Sequence, residues 1–331
     1  MNMKKMLSAL VACMLVAGAA QAAGLEMNFQ GAYSPTIGEW LKSIGTISKG
    51  EMKMHYFQPG SIVSSSTAFD GIRNGLLDAG SWTASEVKKT PYAYLASLPY
   101  LAKDQAHAYR VFMKMYEEFP EFRKDLEKPG VFLGLGVSGP IHVVAKDAPV
   151  RTPADVNGKR VLVTSGSFAE YVKAWGGIPV QVSLGDIYTS LERGMGDMFV
   201  CGVACVKSSS VQEFYKYSTS VGQTFSNVLP YSMNRDLFEA DMAEEEQAVI
   251  MEASKELGRN VLDASMHETE SIYAEFREAG MEVYFPSEEE MAQWREQTKT
   301  LVEGRVEYAK KAGVKNAEEY QREQVQNPTF C

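Results

Sequence analysis

The pattern of apolar and polar positions contains one segment that occurs twice in the chain. Residues 69–79 and 188–198 both place an aromatic residue first, an aliphatic residue three positions later, glycine after three more and aspartate after another three. Residues at i and i+3 share one face of a helix, and glycine accepts the left-handed conformation that often ends one. An apolar run precedes each copy, at 52–57 and 178–182. The pattern predicts a strand, a loop, a short helix, a glycine and a strand, twice.

Each copy predicts one α/β lobe, because parallel strands require a crossover and a helix is its usual form. A single copy would be uninformative, since the same motif occurs in any α/β protein. Repetition at equivalent places, together with the export signal described below, favours a two-lobed binding protein with a cleft between the lobes.

The rest of the pattern completes this organisation. We predict a first lobe over 24–145, completed by about 230–265, and a second lobe over 146–229. An uninterrupted apolar spacing from Met242 to about Ala279 predicts one long helix, about 55 Å at 1.5 Å per residue, across both lobes. A last helix over 287–311 is predicted to pack on the outside, and the tail to Cys331 has no assigned structure.

The first 23 residues have the features of a cleavable signal peptide. Lys4 and Lys5 precede an apolar stretch over 6–20, and Ala20 to Ala22 fits the small-residue rule for signal peptidase. A lipoprotein anchor at Cys13 is the alternative, but the apolar run continues past this cysteine. No other stretch approaches the ~18 apolar residues of a membrane span. We therefore expect an exported, soluble product.

Composition and charge argue against several function classes. With 331 residues, 45% hydrophobic and 11% aromatic, the chain can fill two cores, and its net charge of -9 argues against binding nucleic acid. Gly134 to Gly139 matches the dinucleotide pattern G-x-G-x-x-G, but strand residues follow where that motif opens a helix, so we reject nucleotide binding. The four histidines are scattered without ligand spacing, so no metal or other cofactor is predicted.

Cys201 and Cys205 leave two possibilities open. A loop that brings their α-carbons within about 7 Å would permit a disulfide in an oxidising compartment. A helix through both positions would leave them unbridged.

Five short segments are informative through their order and spacing: Tyr56–Gly60, Ile72–Asp78, Leu98–Leu101, Arg151–Gly158 and Leu191–Asp197. Together they resemble the solute-binding subunits of tripartite ATP-independent periplasmic (TRAP) transporters, the DctP-like family, over nearly all of the chain after the signal peptide. The resemblance implies a type II periplasmic-binding fold, a monomer in the periplasm whose lobes close around one small organic solute. It also implies delivery of that solute to the membrane permease subunits of the transporter.

Two positions depart from that family. The resemblance implies a clamp arginine in the strand after Gly158, because a guanidinium fork matches a ligand carboxylate. Counted from Gly158, that position is Leu162, and Arg160 is either a surface charge or a displaced clamp. A second arginine is frequent in that family, and its position, counted back from Pro149 and Val150, is occupied here by His142. Without these partners a buried acid is penalised, so the ligand stays open between a weakly acidic or zwitterionic solute and a neutral or amine-bearing one.

Candidate contacts lie on loops and strand ends expected to face the cleft. An aromatic wall with the carboxylate of Glu86 would suit a cation. Against this, the tryptophans and Phe199 also fit core positions, Glu86 a solvated one, and His142 a hydrogen-bonded core histidine. The predicted ligand-binding residues are Gln30, Tyr33, Trp82, Glu86, His142, Leu162, Thr164, Ser165, Trp175, Tyr188 and Phe199.

Two other functions are compatible with an exported protein. An exported hydrolase would need an activated nucleophile, and although Ser165 and His142 could pair, no motif of that kind is present, so we predict that the protein is not an enzyme. A sensor module that hands its ligand to a receptor would have the same fold. An arginine introduced at Leu162 is expected to supply the missing clamp and create affinity for small monocarboxylates.

Overall fold

The computed structural model describes residues 24–31, 34–84, 88–96, 100, 102, 104–222, 228–315 and 317. The predicted signal peptide and two predicted contacts, Tyr33 and Glu86, lie outside these residues. Within the described ranges, no helix combines the length and apolar character needed to cross a membrane.

The elements follow one another in three stretches of chain. The first stretch contains β1 (Leu25–Gln30), α1 (Pro35–Ile47), β2 (Met52–Phe57), α2 (Ala68–Arg73), β3 (Ala79–Ser81), α3 (Pro91–Ala96), α4 (Gln105–Glu118), α5 (Pro120–Leu126) and β4 (Val131–Val137). The second contains β5 (Ile141–Ala145), β6 (Arg160–Val163), α6 (Gly166–Ala174), β7 (Ile178–Gln181), α7 (Ile187–Glu192), β8 (Met198–Gly202), α8 (Val203–Ser208) and β9 (Tyr217–Ser220). The third contains β10 (Val228–Met233), α9 (Glu244–Ser254), α10 (Leu257–Glu278), β11 (Glu282–Tyr284), α11 (Glu288–Gln297) and α12 (Lys299–Lys311).

Local sequence signals explain several helix starts. Ser34 and Asp104 precede α1 and α4, and their side chains accept the N–H groups of Ile37 and His107, at 3.2 and 2.7 Å. Pro35 follows Ser34 at a position whose N–H would have no helical partner.

Two sheets form two lobes, as predicted. The first sheet has the strand order β2-β1-β3-β10-β4 and the second has the order β11-β9-β5-β8-β6-β7. Within each, the strands of the repeated segment are parallel to one another. The second sheet has its own buried core, and two further buried clusters lie around the first sheet.

Two crossings lead directly from a strand of one sheet to a strand of the other, and these correct the predicted boundaries. β5 pairs with β8 and β9 in the second sheet, so the first crossing lies at 138–140 and not at 145–146. Gly134 to Gly139 belongs to β4 and this crossing. Strand β5 follows, where a dinucleotide-binding motif would open a helix. The second crossing lies between β9 and β10, and β10 returns to the first sheet beside β3 and β4.

The carboxyl ends of the parallel strands in both sheets face the crevice between the lobes. β4 ends where the chain leaves the first lobe, and β10 is antiparallel to both β4 and β3, so β3, β1 and β2 end on that same side. In the second lobe β5 begins at the crossing and is antiparallel to β8, so β8, β6 and β7 end there too. Ligands of open α/β sheets bind beyond such strand ends.

The repeated segment is confirmed as strand, helix, glycine and strand in both lobes. Gly75 and Gly194 follow α2 and α7 with φ angles of 73° and 65°. These left-handed values explain why both copies have glycine at this point.

The aspartate of each copy ties neighbouring strands together. Asp78 accepts hydrogen bonds from the backbone N–H and the side-chain amide of Asn28 in β1, at 2.7 and 2.6 Å. Asp197 accepts the backbone N–H of Arg160 in β6 at 2.9 Å and its guanidinium at 2.8 Å. The repeated aspartate is therefore a structural residue.

The long helix is shorter than predicted. A turn at Lys255 and Glu256 separates α9, which packs on α1, from α10, which packs on β4. The 22 residues of α10 rise about 33 Å, yet the helix still joins the lobes. Leu257 lies in a core of the first lobe, and Phe276 lies in the core of the second.

The predicted last helix consists of two helices, α11 and α12. They do not pack only on the outside, as predicted, because side chains of both are buried in the lobes. Trp294 of α11 is fully buried, donates to the Arg151 carbonyl at 2.9 Å and packs edge-to-face on Trp175 in the second lobe. Val306 and Ala309 of α12 are buried in a core of the first lobe. The pair α11–α12 therefore joins the lobes a further time.

Replacement of Gly258 tests the contact between α10 and β4, because a Cβ there would lie 2.9 Å from the Leu135 carbonyl oxygen. Gly258→Ala is expected to lower the free energy of unfolding by about 1–3 kcal/mol through overpacking against backbone. Gly304→Ala is the control: it lies in α12 with nothing within 4 Å of a Cβ, and it is expected to stabilise by about 0.5–1 kcal/mol. Urea unfolding measures both, and equal effects would contradict the close contact.

Candidate ligand-binding cleft

The walls of the crevice are formed by residues at and just after the carboxyl ends of the strands. None of those that the structure describes has a charged side chain, although 23% of the chain is charged. The set is Gln30, Gly31, Phe57, Gln58, Ser81 to Ala84, Val137 to Pro140, Val163 to Ser165, Gln181, Val182, Gly202, Val203 and Ser220 to Gly222. The strand ends named here therefore carry no charged side chain; the edge strand β11 is not among them, and its Tyr284 is bonded to Arg151 and Glu290.

Thr164 and Ser165 lie at this edge, where the sequence predicts them. Both are half-buried, and the Ser165 hydroxyl caps α6 by accepting the Phe168 N–H at 3.3 Å. A hydroxyl that accepts one bond retains its own proton for a second partner. These two residues can therefore offer hydrogen bonds to a solute in the crevice.

Cys201 and Cys205 form a disulfide, with their α-carbons 5.9 Å apart. Cys201 belongs to β8 and Cys205 to the first turn of α8, so the bridge spans a strand-to-helix turn at Gly202. Thr164 Oγ1 lies 3.8 Å from Cys201 Sγ. The disulfide therefore holds the start of α8 beside the crevice.

His142 is a fully buried structural residue and not an exposed contact. Its Nδ1 lies 2.9 Å from Ser218 Oγ, and its Nε2 lies 3.0 Å from Tyr273 Oη of α10. Burial lowers the pKa of His142 to about 3, so the ring is neutral. With both nitrogens bonded, His142 supplies neither a cation nor a free donor to a ligand, and it cannot activate Ser165.

Gln30 and Trp82 are also buried with their polar atoms bonded. The Gln30 amide accepts the N–H groups of Ile62 and Val63, at 2.8 and 3.1 Å, and donates to the Val63 carbonyl at 2.8 Å. Trp82 Nε1 donates to Ser232 Oγ at 3.1 Å. Both side chains hold the first lobe together, and neither is available to a solute here.

Leu162 and Phe199 face each other on β6 and β8 without exposed surface. They lie inside the second lobe and do not line the crevice. Arg160 lies at the opposite end of β6, where its guanidinium binds Asp197, so it is not a displaced clamp.

Trp175 and Tyr188 lie away from the strand ends. Trp175 follows α6 at the end remote from Ser165, about 15 Å along the helix axis, and is buried. The Tyr188 hydroxyl donates to Glu213 at 2.7 Å, and its ring packs on Phe214. Both residues belong to the second lobe's own structure.

A cavity of about 520 Å³ in the first lobe is separate from the crevice. Val131 and Phe132, at the amino end of β4, form part of its wall, and the crevice lies at the other end of that strand. Arg235 at this cavity is bonded to Glu239 and to the carbonyls of Glu127 and Gly130.

Exposed apolar residues lie beside the crevice that are not among the contacts predicted from sequence. Phe57 is the last residue of β2, Ile62 lies in the loop after it, and Leu184 follows β7. The uncharged run from Gln58 to Thr67 indicates such a surface, but the pattern of apolar and polar positions predicts only a loop there.

The buried His142 is expected to make stability depend on pH. Its pKa is about 3 in the folded protein against an ordinary 6.5, so between these values only the unfolded chain binds the proton. Stability falls as the pH drops from 6.5 towards 3, by up to roughly 1.4 kcal/mol per pH unit. His142→Gln should remove this contribution, giving a shallower slope in denaturant unfolding between about pH 6 and about pH 4. Parallel slopes for the two proteins would contradict the assignment.

Comparison with known proteins identifies a matching family model and related sequences. The family model for DctP, bacterial extracellular solute-binding protein, family 7, matches residues 33–311. The 2,3-diketo-L-gulonate-binding periplasmic protein YiaO of Escherichia coli is 25% identical over 240 residues, which cover 71% of this chain and 72% of that protein. An uncharacterised protein of Haemophilus influenzae is 26% identical over 242 residues, with the same coverage.

Solved structures agree on the fold. DctP7 of Bordetella pertussis, an extracytoplasmic solute receptor binding pyroglutamic acid, has a TM-score of 0.79 at 15% identity and covers 92% of this chain and 100% of its own. A TRAP periplasmic solute-binding protein of Roseobacter denitrificans with bound β-D-glucuronate has a TM-score of 0.77 at 19% identity, covering 90% and 99%. The chain therefore belongs to the DctP family of TRAP periplasmic solute-binding receptors.

Proposed function

We propose that this protein captures a small polar organic solute in the periplasm by closing its two lobes, and delivers it to the membrane subunits of a TRAP-type secondary transporter. Membership of the receptor family and the two-lobed fold support this function. The lysine-bearing apolar start of the chain supports export by a cleavable signal peptide.

We further propose that the solute is uncharged, unlike the acids named for the relatives. The observation that carries this proposal is the neutral character of the described strand ends around the crevice. An acid enclosed there would lose its hydration without gaining a guanidinium partner, which is strongly unfavourable. A neutral solute needs only the hydrogen bonds that groups such as Thr164 and Ser165 can supply.

Matched solutes test this proposal, each set sharing one carbon skeleton as a carboxylate, an amide, an alcohol and an amine. We expect thermal stabilisation by the uncharged members and none by the carboxylate or the amine. A solute at a hundredfold excess over its Kd adds about 2.7 kcal/mol. Native mass spectrometry of the purified protein would identify a retained solute.

Two results would count against different parts of the proposal. Stronger stabilisation by the carboxylates would contradict the proposed ligand class. A broad panel without any stabilisation, together with no retained solute, would contradict the receptor function.

The buried position of Leu162 revises the effect expected from an arginine there. Leu162→Arg should lower the free energy of unfolding by about 3–5 kcal/mol, because it places an unpaired charge in the second lobe's core. Leu162→Met is the control, with an expected loss below about 1.5 kcal/mol. Denaturant unfolding measures both. A stable arginine variant that gains affinity for a monocarboxylate such as lactate would show that the side chain reaches the crevice.

A further inference from the structure

Two loops lie at the mouth of the crevice, one on each lobe. We define the first lip as residues 57–64, at the end of β2, and the second lip as residues 182–186, after β7. β2 and β7 are edge strands. In the first sheet β2 lies three positions from β10, and in the second β7 lies three positions from β5; the chain enters each sheet from the other lobe at β10 and β5. That distance is about 14 Å at roughly 4.8 Å per strand. The lips therefore lie on the side of the crevice remote from the crossings.

The lips expose apolar side chains in nearly uncharged surroundings. Phe57 and Ile62 are 38% and 39% exposed on the first lip, and Leu184 is 63% exposed on the second. The first lip has no charged residue. The one charge of the second lip, Asp186, accepts the Ser183 hydroxyl at 2.6 Å. Single exposed apolar residues are ordinary, but apolar groups concentrated on both sides of an opening indicate a contact surface.

The first lip is held in place by a buried amide. The three hydrogen bonds of Gln30 to the backbone of Ile62 and Val63 fix this part of the loop, and Val63 packs inward against the first lobe. Ile62 is therefore presented to solvent by a loop with little freedom. Gln30 acts as a positioning residue for the lip.

The second lip has the equivalent turn of the repeated unit. In the first lobe the Thr67 N–H donates to the Ser64 carbonyl at 3.0 Å, and in the second the Asp186 N–H donates to the Ser183 carbonyl at 3.1 Å. A short 3-10 turn follows in both lobes, Ser65–Thr67 and Leu184–Asp186. Each lip thus lies between the first strand and the short helix of its copy of the repeated unit, and lobe closure would bring the lips towards each other.

We propose that the two lips form an interface with each other when the lobes close, with Ile62 packed against Leu184 over the mouth of the crevice. The inference rests on the lobe closure of the proposed receptor function, but not on the identity of the solute. Both surfaces are apolar and nearly neutral, so each matches the other in chemistry, and hinge closure about the crossings moves the remote side most.

Another exposed apolar pair provides a matched control. Leu76 and Met195 occupy equivalent positions after the glycine of each copy and are 61% and 41% exposed. They precede β3 and β8, so they lie at the ends of the lobes away from the crevice. Closure cannot bring these two residues together.

Disulfide trapping tests the contact in the full mature chain with Cys331→Ser. The double variant Ile62→Cys/Leu184→Cys is compared with Leu76→Cys/Met195→Cys under mild oxidation at low protein concentration. A disulfide requires α-carbons within about 7 Å. We expect the first pair to form an intramolecular bond at least tenfold faster than the second, located by peptide mass spectrometry. The cross-linked monomer should also have a smaller radius of gyration in X-ray scattering than its reduced form.

Three results would overturn the proposal: equal rates for the two pairs, cross-linked dimers as the main product, or an unchanged radius of gyration. Dimers would instead assign the lips to contacts between copies of the chain. Because trapping needs no solute, its failure leaves the solute panel unaffected. A panel without binding likewise leaves a fast cross-link intact.

Discussion

The architecture depends on the two crossings that lead directly from a strand of one sheet to a strand of the other. The first crossing contains Gly139, where a Cβ would lie 2.8 Å from Val203 Cγ1 and 3.0 Å from Thr269 Oγ1. Only a backbone without a side chain fits between α8 and α10 at this point. Because β4 and β10 meet the crossings with fixed directions, the parallel strands of both lobes end at one crevice. A binding surface there follows from topology before any side chain is considered.

Buried hydrogen bonds explain why several polar residues near this crevice do not face it. Asp78 and Asp197 hold adjacent strands, Gln30 holds a loop, and His142 joins β5, β9 and α10. A buried polar group without a partner is costly, so each of these side chains is bonded inside its lobe. Polarity beside a predicted strand end is therefore weak evidence for ligand contact, because the fold needs the same groups.

The fold was largely predictable from sequence, since the repeated segment and its spacing reflect local rules. Glycine at a left-handed helix end and a helix between parallel strands require no long-range information. The break between α9 and α10 was not predictable, because the apolar spacing continues through Lys255 and Glu256. The position of Trp294 was missed as well, since its burial depends on Trp175, which is more than a hundred residues away in sequence.

The candidate site was less predictable than the fold. Thr164 and Ser165 were placed at the crevice because their position follows directly from a strand end. Leu162 and Trp175 were assigned from chain order, which does not show which side chain a neighbouring helix or strand covers. The lack of an arginine at position 162 remains informative. The nearest candidate, Arg160, is bound to Asp197 at the remote end of the strand and cannot take its place.

A neutral crevice changes what can stabilise the closed state. In a receptor that grips an acid, an ion pair formed in the crevice can supply much of the free energy of closure. The described strand ends here contain no cation to form such a pair. Closure then has to draw on hydrogen bonds to the solute and on apolar surface buried between the lobes. Exposed apolar side chains on both lips provide such surface, so the proposed contact between the lips fits the proposed uncharged solute.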